Sequence, residues 1–600
     1  MHRSTPGCPC RNHSKTGRSS AYTPNLPVGV GPSPRALEAG LDPKALKPET
    51  YRILAKDNAV FFVGELDHCK EIHGNPGIAS NPTRWALNHV LEKQVGVRWL
   101  WPGDLGTYVP KHTDIAIPAT DLTYQPKLEQ RSLRMLMSRK TKHASQNPAV
   151  EKKVRKETVD WAENHLNGNR APFTFGHNFG HWWEKYSKDH PDYFAELRPG
   201  FTQPFPKPGA VKLRLSNPAV IDQIVKEYEE AGRPAYWNLC PNDGSGFDIS
   251  EATRAWDVPQ DQSVVDIMSA RGNLTARYVK FWNLIYERLK ELNPDVTIVT
   301  YAYSSYRNAP SPDRPLKAKA VLQIVDGVEA YKNWEGWSSM GVDLFLRPNW
   351  WHQGADAPYL TYEKTAKFLK FGFNNRMLGL DMDSVLGYWA TQGINYYLVA
   401  RLMTQPELTT EEILGEYTSA FGAGAPKIRE YLDYWHTLAL EYNYAINAAG
   451  SEVLQKSRWE QLVKAGKISG SILNGSKYVL PYLYGEDVLA PAIVKLDEAE
   501  ALIGKSDEEA LLRVAFLRKG LDALRATRAQ VILGQKLKEN PTPELLEEFK
   551  KGAIALDQYR ESITEEHVVW GEATKRYEGR YHILLRPEAL EFNKINLDGM

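Results

Sequence analysis

LTARYVKFWNLIYERLKELNPDVTIVTYAY, residues 274–303, is the stretch whose reading decides the fold. Leu274, Tyr278, Phe281, Trp282, Ile285 and Leu289 recur at three- and four-residue steps, the stripe of an amphipathic helix. Asn293-Pro294 interrupts it, and DVTIVTYAY (295–303) then reads as a buried strand rich in β-branched and aromatic residues. A helix running straight into a buried strand is one half-turn of a β/α alternation. Working outward, RSLRML (131–136), PFTFG (172–176), VKLRLS (211–216) and AYWNLC (235–240) read as earlier strands. AVLQIV (320–325), VDLFLRP (342–348) and RMLGLDM (376–382) read as later ones, and AVIDQIVKEYEEAG (219–232) as another intervening helix. Eight strands alternating with helices over about 250 residues predict an α/β fold built on a (β/α)8 TIM barrel, placed at residues 127–405.

The flanks read differently. Residues 49–126 alternate short strands with the helical stretch TRWALNHVLEKQVG (83–96), giving a small α/β domain that precedes the barrel. Residues 1–48 are basic, then Pro- and Gly-rich, and read as a disordered or mis-started tail without a secretory h-region. From 406 to 600 the pattern is helical; TTEEILGEYTSAFG (409–422) opens on a capping-box-like Thr.

The chain has 600 residues, Lys+Arg 74 against Asp+Glu 73, and no apolar run long enough to span a membrane. That balance excludes a surface dominated by nucleic-acid binding. Four cysteines do not make a disulfide framework, and Cys8 and Cys10 with His2 and His13 lack a second ligand pair at metal-site spacing. The unusual feature is aromatic: 17 Trp and 30 Tyr. Eleven tryptophans lie between residues 131 and 405.

In a TIM barrel the active site forms at the C-terminal ends of the strands. There the sequence offers His177, His181, Trp182 and Trp183 after strand two, and Asn242 and Asp243 in CPNDG after strand four. It continues with Tyr301 and Tyr303, then Asp326 with Glu329 beyond, then Arg347, Asn349, Trp350, Trp351 and His352, and finally Asp381 and Asp383, with Trp389 near. Carboxylates for acid–base work, aromatic faces for sugar rings, and amides and imidazoles for hydroxyls are the composition of a glycosidase cleft. The Trp182, Trp183, Trp350, Trp351 and Trp389 indoles are expected to form a sugar-binding surface. Only one of Asp381 and Asp383 is expected to face the barrel interior, and Asp243, in a Pro-Asn-Asp-Gly turn signal, reads equally as a turn residue.

Other chemistries fit less well. His177 and His181 stand four apart, but GHNFGHWW follows a strand and contains two glycines, so helical ligand spacing has no meaning there and no metal is expected. No nucleophile elbow follows a strand, and Cys240 has no His nearby in sequence. Phosphate-cradling glycine loops are absent, and no cofactor is expected.

Three pieces in order resemble a known group. VRWLWPGDLGTYVP (97–110) after a helix ending LEKQVG looks like the end of the small domain that precedes the barrel in α-glucuronidases and β-hexosaminidases. CPNDG, HPDYF (190–194) and GYWATQGINYYLVARL (387–402) resemble the domain of unknown function 4838, associated with glycoside hydrolase family 163. The resemblance covers roughly residues 50–420; SGFDISEATRAW after the PNDG turn lacks the cysteines of many relatives.

The resemblance implies a retaining, endo-type β-N-acetylglucosaminidase that uses the substrate's acetamide as nucleophile. Asn242 would then orient the acetamide and Asp243 donate the proton, its pKa raised by burial. Tyr301 or Tyr303 would complete the acetamide pocket, and Trp350, Trp351 or Trp389 its wall. Expected partners are an oligosaccharide or glycoprotein glycan, with neither nucleic acid nor a membrane span; the oligomeric state is left open. Full-length relatives would be exported to the periplasm or outside the cell. Two alternatives stay open. One is an inverting α-glucuronidase-like hydrolase with Asp326 or Asp381 as base and Arg134, Arg139, Arg347 and His352 around a uronate. The other is a non-catalytic carbohydrate-binding protein, favoured if Asp243 faces away from any shared pocket.

Overall fold

The computed structural model describes residues 27–600 apart from 67–70, 73–74, 136–146, 259–272, 326–329, 352–355, 386, 443–463, 465–479, 581–582, 592, 594 and 596–600. Asp326, Glu329, His352, Arg139, Cys8 and Cys10 lie outside the described residues.

The N-terminal unit is a four-stranded sheet of β1 (Val28–Val30), β2 (Tyr51–Lys56), β3 (Ala59–Gly64) and β4 (Thr120–Tyr124), ordered β1-β3-β2-β4. Asp57 and Asn58 both take positive φ in the two-residue turn joining β2 to β3, the backbone that tight hairpins prefer. Tyr51, Ile53, Val60 and Phe62 pack on Trp85 and Ala86 of helix α1 (Pro82–Val90). The lead-in departs from the expected disordered tail. Val28–Val30 pairs in parallel with β3, and Ala36 and Leu41 are buried against Phe61 and Val63 on the sheet's other face.

The central element is a curled seven-stranded sheet: β5 (Gln130–Met135), β6 (Gly168–Asn169), β7 (Tyr236–Asn238), β8 (Thr297–Ala302), β9 (Ala320–Ile324), β10 (Asp343–Leu346) and β11 (Met377–Val385). Its order is β6-β5-β11-β10-β9-β8-β7, and every pairing is parallel except β6 with β5. Helices α2 (Pro148–Asn164), α3 (Pro218–Glu230), α4 (Thr275–Leu292), α5 (Tyr331–Ser338) and α6 (Tyr362–Asn374) alternate with the strands. All six residues of β8 are buried, as a strand covered on both faces requires.

Two expected barrel strands do not form, so hydrogen bonding among the described residues leaves the sheet open between β7 and β6. PFTFG (172–176) runs beside β7 but is tied by side-chain amides instead of a backbone ladder. Asn238 Nδ2 donates to Gly176 O at 3.0 Å, and Asn178 Nδ2 donates to Asn238 O at 2.8 Å. Phe173 and Phe175 still fill the interior against Phe345, with centroids 5.5 and 5.3 Å apart. VKLRLS (211–216) contributes one isolated bridge, Leu213 to Phe194.

Beyond the sheet the described residues are mostly helical, as expected, and the Thr409 capping box forms on α8 (Thr410–Ser419). Helix α7 (Trp389–Thr404) is buried on all sides, and the 32-residue α9 (Glu508–Glu539) crosses it. A Cβ at Gly520 would lie 2.7 Å from Ala390 Cβ, so this crossing needs glycine. Sheet and tail helices share one continuous core; Trp101 stacks on Phe516 at 4.5 Å.

Candidate active site at the C-terminal edge of the sheet

The parallel strands deliver a polar cluster at their C-terminal ends, where open α/β sheets form their clefts. Strand β5 brings Arg134, β8 leads to Tyr301 and Tyr303, β9 carries Gln323, β10 leads to Arg347, and β11 carries Asp381 and Asp383. Arg134 Nε donates to Asp381 Oδ1 at 2.7 Å, and a second guanidinium nitrogen holds Oδ2. Gln323 Nε2 reaches the same carboxylate at 3.4 Å. Arg347 donates to Asp383. Residues two apart on a strand share a face, so both aspartates meet the arginines and the expectation of only one facing inward is corrected.

Over this neutralised floor stands Asp243. It is exposed, in the turn after β7, with Oδ1 accepting from Gly244 N at 2.8 Å and from the Tyr303 hydroxyl at 3.3 Å. Gly244 has φ +85°, a conformation that L side chains rarely adopt, so the PNDG turn is real and it aims the carboxylate. His177 lies beside it, donating Nδ1–H to Pro241 O at 2.6 Å with its ring 5.3 Å from Tyr301. A carbonyl only accepts, so this bond fixes the tautomer and leaves Nε2 as an acceptor.

Electrostatics set the protonation states. Burial alone would raise the Asp243 pKa. The Gly244 N–H, His177, Lys212 and the Tyr303 hydroxyl outweigh it and hold the carboxyl below its ordinary value. That direction is opposite to the raised pKa expected of a proton donor. Burial, with the Asp243 charge, pushes Tyr303 up to about 12, so its hydroxyl stays a donor. Burial lowers the His177 pKa, keeping the imidazole neutral near pH 7.

Several expected residues are elsewhere. Asn242 is buried, its Nδ2 donating to Val211 O at 2.8 Å and its Oδ1 without a partner, so its amide faces the wall behind the turn. His181 is exposed at the start of a short helix, Trp182–Tyr186. Trp182 packs on Phe179 and Tyr186 and donates to Glu227. Trp350 packs on Phe368, Trp351 on Tyr396, and Trp389 on Trp161 and Tyr396. These four indoles are at most 3% exposed and belong to the core; of the five expected to form a sugar platform only Trp183, packed on Phe194, is half-buried. Asn349 is half-buried, with Oδ1 unpartnered. Among the described residues no three His, Cys, Asp or Glu are placed to share a metal ion, and no helix is long and apolar enough to cross a membrane.

Sequence reasoning missed Lys212, buried beneath the turn. Its signal was slight: one lysine within the apolar run VKLRLS.

Against known proteins, the family model described as "Domain of unknown function (DUF4838)" matches residues 101–433, more than half the chain. The chain belongs to the DUF4838 family. No curated protein matches it. Among solved structures this DUF4838 protein is similar to a family 89 glycoside hydrolase from Clostridium perfringens in complex with PUGNAc. That match has 11% identity and a TM-score of 0.41, covering 91% of this chain and 68% of that one. It is also similar to a GH138 enzyme targeting pectin rhamnogalacturonan II, at 10% identity, TM-score 0.37, and 95% and 81% coverage. A third is the β-N-acetylhexosaminidase from Bacteroides fragilis, at 11% identity, TM-score 0.32, and 63% and 81% coverage. At such scores the function has to be argued from the cluster itself.

Proposed function

We propose that this DUF4838 protein is a glycoside hydrolase acting on a glycan, with Asp243 as its essential carboxylate. One observation carries the reading. Asp243 is exposed at the C-terminal edge of a parallel sheet, with the Tyr303 hydroxyl 3.3 Å away and His177 beside it. Asp381 and Asp383 are each tied to an arginine, whereas Asp243 is held by neutral donors and open to a ligand. Convergence of Asp243, Tyr303 and His177 on one spot favours catalysis over carbohydrate binding alone.

The finer reading is a retaining, endo-type β-N-acetylglucosaminidase, in line with the sequence resemblance. In a substrate-assisted route the acetamido oxygen attacks the anomeric carbon as the glycosidic C–O bond breaks, and the leaving oxygen takes a proton from a separate general acid; an ionised carboxylate accepts a hydrogen bond from the acetamido N–H and stabilises the oxazolinium cation that forms. Asp243, kept ionised in the free protein, suits that role better than proton donation, and it takes over the orienting part assigned to Asn242 from sequence. The uronate alternative gains no support: Arg134 and Arg347 already spend their charge on Asp381 and Asp383.

A pH profile separates the two roles. If Asp243 works ionised, kcat/KM on a GlcNAc-containing glycan rises with pH through the lowered Asp243 pKa and then levels. If it works as the acid, kcat/KM falls through that same pKa.

A further inference from the structure

A lysine lies under the Asp243 turn, and the proposed reaction does not use it. Lys212 is 3% exposed. Phe179, Leu239, Tyr278 and Phe281 line the small space beside it. Its ammonium donates to the main-chain carbonyl of Asn242 and stands 4.8 Å from the Phe247 ring centroid. Asn242 reciprocates through its side chain, bonded to Val211 O, so residues 211–212 and 242 are clasped from both directions. The clasp is anchored further back by Ala195 N, which donates to Lys212 O at 2.9 Å. Burying an ammonium costs several kcal/mol unless something compensates it. Here the compensation is one carbonyl, one aromatic face and the charge of Asp243.

We infer that Lys212 is a positioning residue for Asp243: it pins the main chain of the turn that presents the carboxylate and sets a buried cation behind it. The inference rests on the reading of Asp243 as the essential carboxylate. It goes beyond that reading by naming what holds the group in place and in its ionised state.

The electrostatics agree with the geometry. Burial lowers the Lys212 pKa to about 7, with Asp243 opposing, and Lys212 is one of the charges that hold Asp243 down. Asp243 is the charge that acts on Lys212, and the Tyr278 phenol lines the space beside it; Asp243 in turn feels His177 on the facing segment and the Tyr303 hydroxyl, and His177 feels Arg347. A lysine lowered this far should give up its proton well below the usual lysine range, and the field at Asp243 should change where it does.

The test is a 13C carboxylate NMR titration of the full chain, with the Asp243 signal assigned by its loss in Asp243→Asn. The wild type should show a main step below the usual carboxylate range and a smaller second step near pH 7. Lys212→Met keeps the stem and removes the charge; it should move the main step upward and abolish the second. His177→Gln should leave the second step in place. The inference is overturned if the second step is missing in the wild type. It is equally overturned if the second step vanishes in His177→Gln, or if Lys212→Met leaves the main step unmoved. The titration uses no substrate, so a protein that cleaves no glycan refutes the hydrolase reading alone.

Discussion

Replacing Arg134 with methionine tests whether the floor of the cluster is a true buried ion pair. The Asp381 side chain is 0% exposed and that of Arg134 12%, and the guanidinium covers both carboxylate oxygens. After Arg134→Met, the remaining contact shown for that carboxylate is Gln323 Nε2 at 3.4 Å. Removing one partner of a buried pair strands a charge and costs about 3–5 kcal/mol, whereas replacing both partners is often close to neutral. Arg134→Met should therefore lose about 3–5 kcal/mol. Asp381→Asn should lose less, because its orphaned arginine keeps some access to water. The double variant should recover part of the loss, with a coupling of about 1–3 kcal/mol. Urea unfolding followed by tryptophan fluorescence, with hydrogen exchange at the amides of β11, reads all three proteins. A loss below about 1 kcal/mol for Arg134→Met is what an exposed pair gives and would refute the buried-pair reasoning.

Other expectations are simpler. Tyr303→Phe removes a donor to the Asp243 carboxylate, so its pKa rises and the acidic limb of kcat/KM moves to higher pH. No movement of that limb would contradict the contact. Trp351→Ala, at a position 3% exposed, should cost about 3–5 kcal/mol in unfolding. It should leave KM for a glycan unchanged, whereas a raised KM with unaltered stability would restore the sugar platform. Arg560→Met breaks the tie of α10 (Pro543–Ser562) to Asp356 and Glu578, both fully desolvated, and should destabilise by about 3–5 kcal/mol in the same assay. A change under about 1 kcal/mol would place that arginine in solvent.

Particular residues show what was legible in the sequence. DVTIVTYAY, AVLQIV, VDLFLRP and RMLGLDM each became a parallel strand, because short apolar runs between helical stripes are buried when helices cover both faces of the sheet. PFTFG failed as a strand because Asn178 and Asn238 took over its pairing, a long-range competition that no local pattern records. Tyr301, Tyr303 and Asp243 were legible as a group from their places at or just after strand ends, and His177 from its place after the apolar run PFTFG. The tryptophans misled for a physical reason: an indole at a strand end can stack on a sugar or on a helix, and α6 and α7 supplied the helix. Asp383 was obscured by misreading the strand period, and Lys212 because lysine is so seldom buried that one within an apolar run carries little signal.

The central claim meets its most direct test in the action of wild-type protein and Asp243→Asn on GlcNAc-containing N-glycoproteins, with product anomers followed by NMR from the first minutes. Cleavage should release the retained β-anomer first, and a normally folded Asp243→Asn should lose about 10²–10³-fold in rate. Wild-type rates in the variant, or an inverted first product, would contradict it.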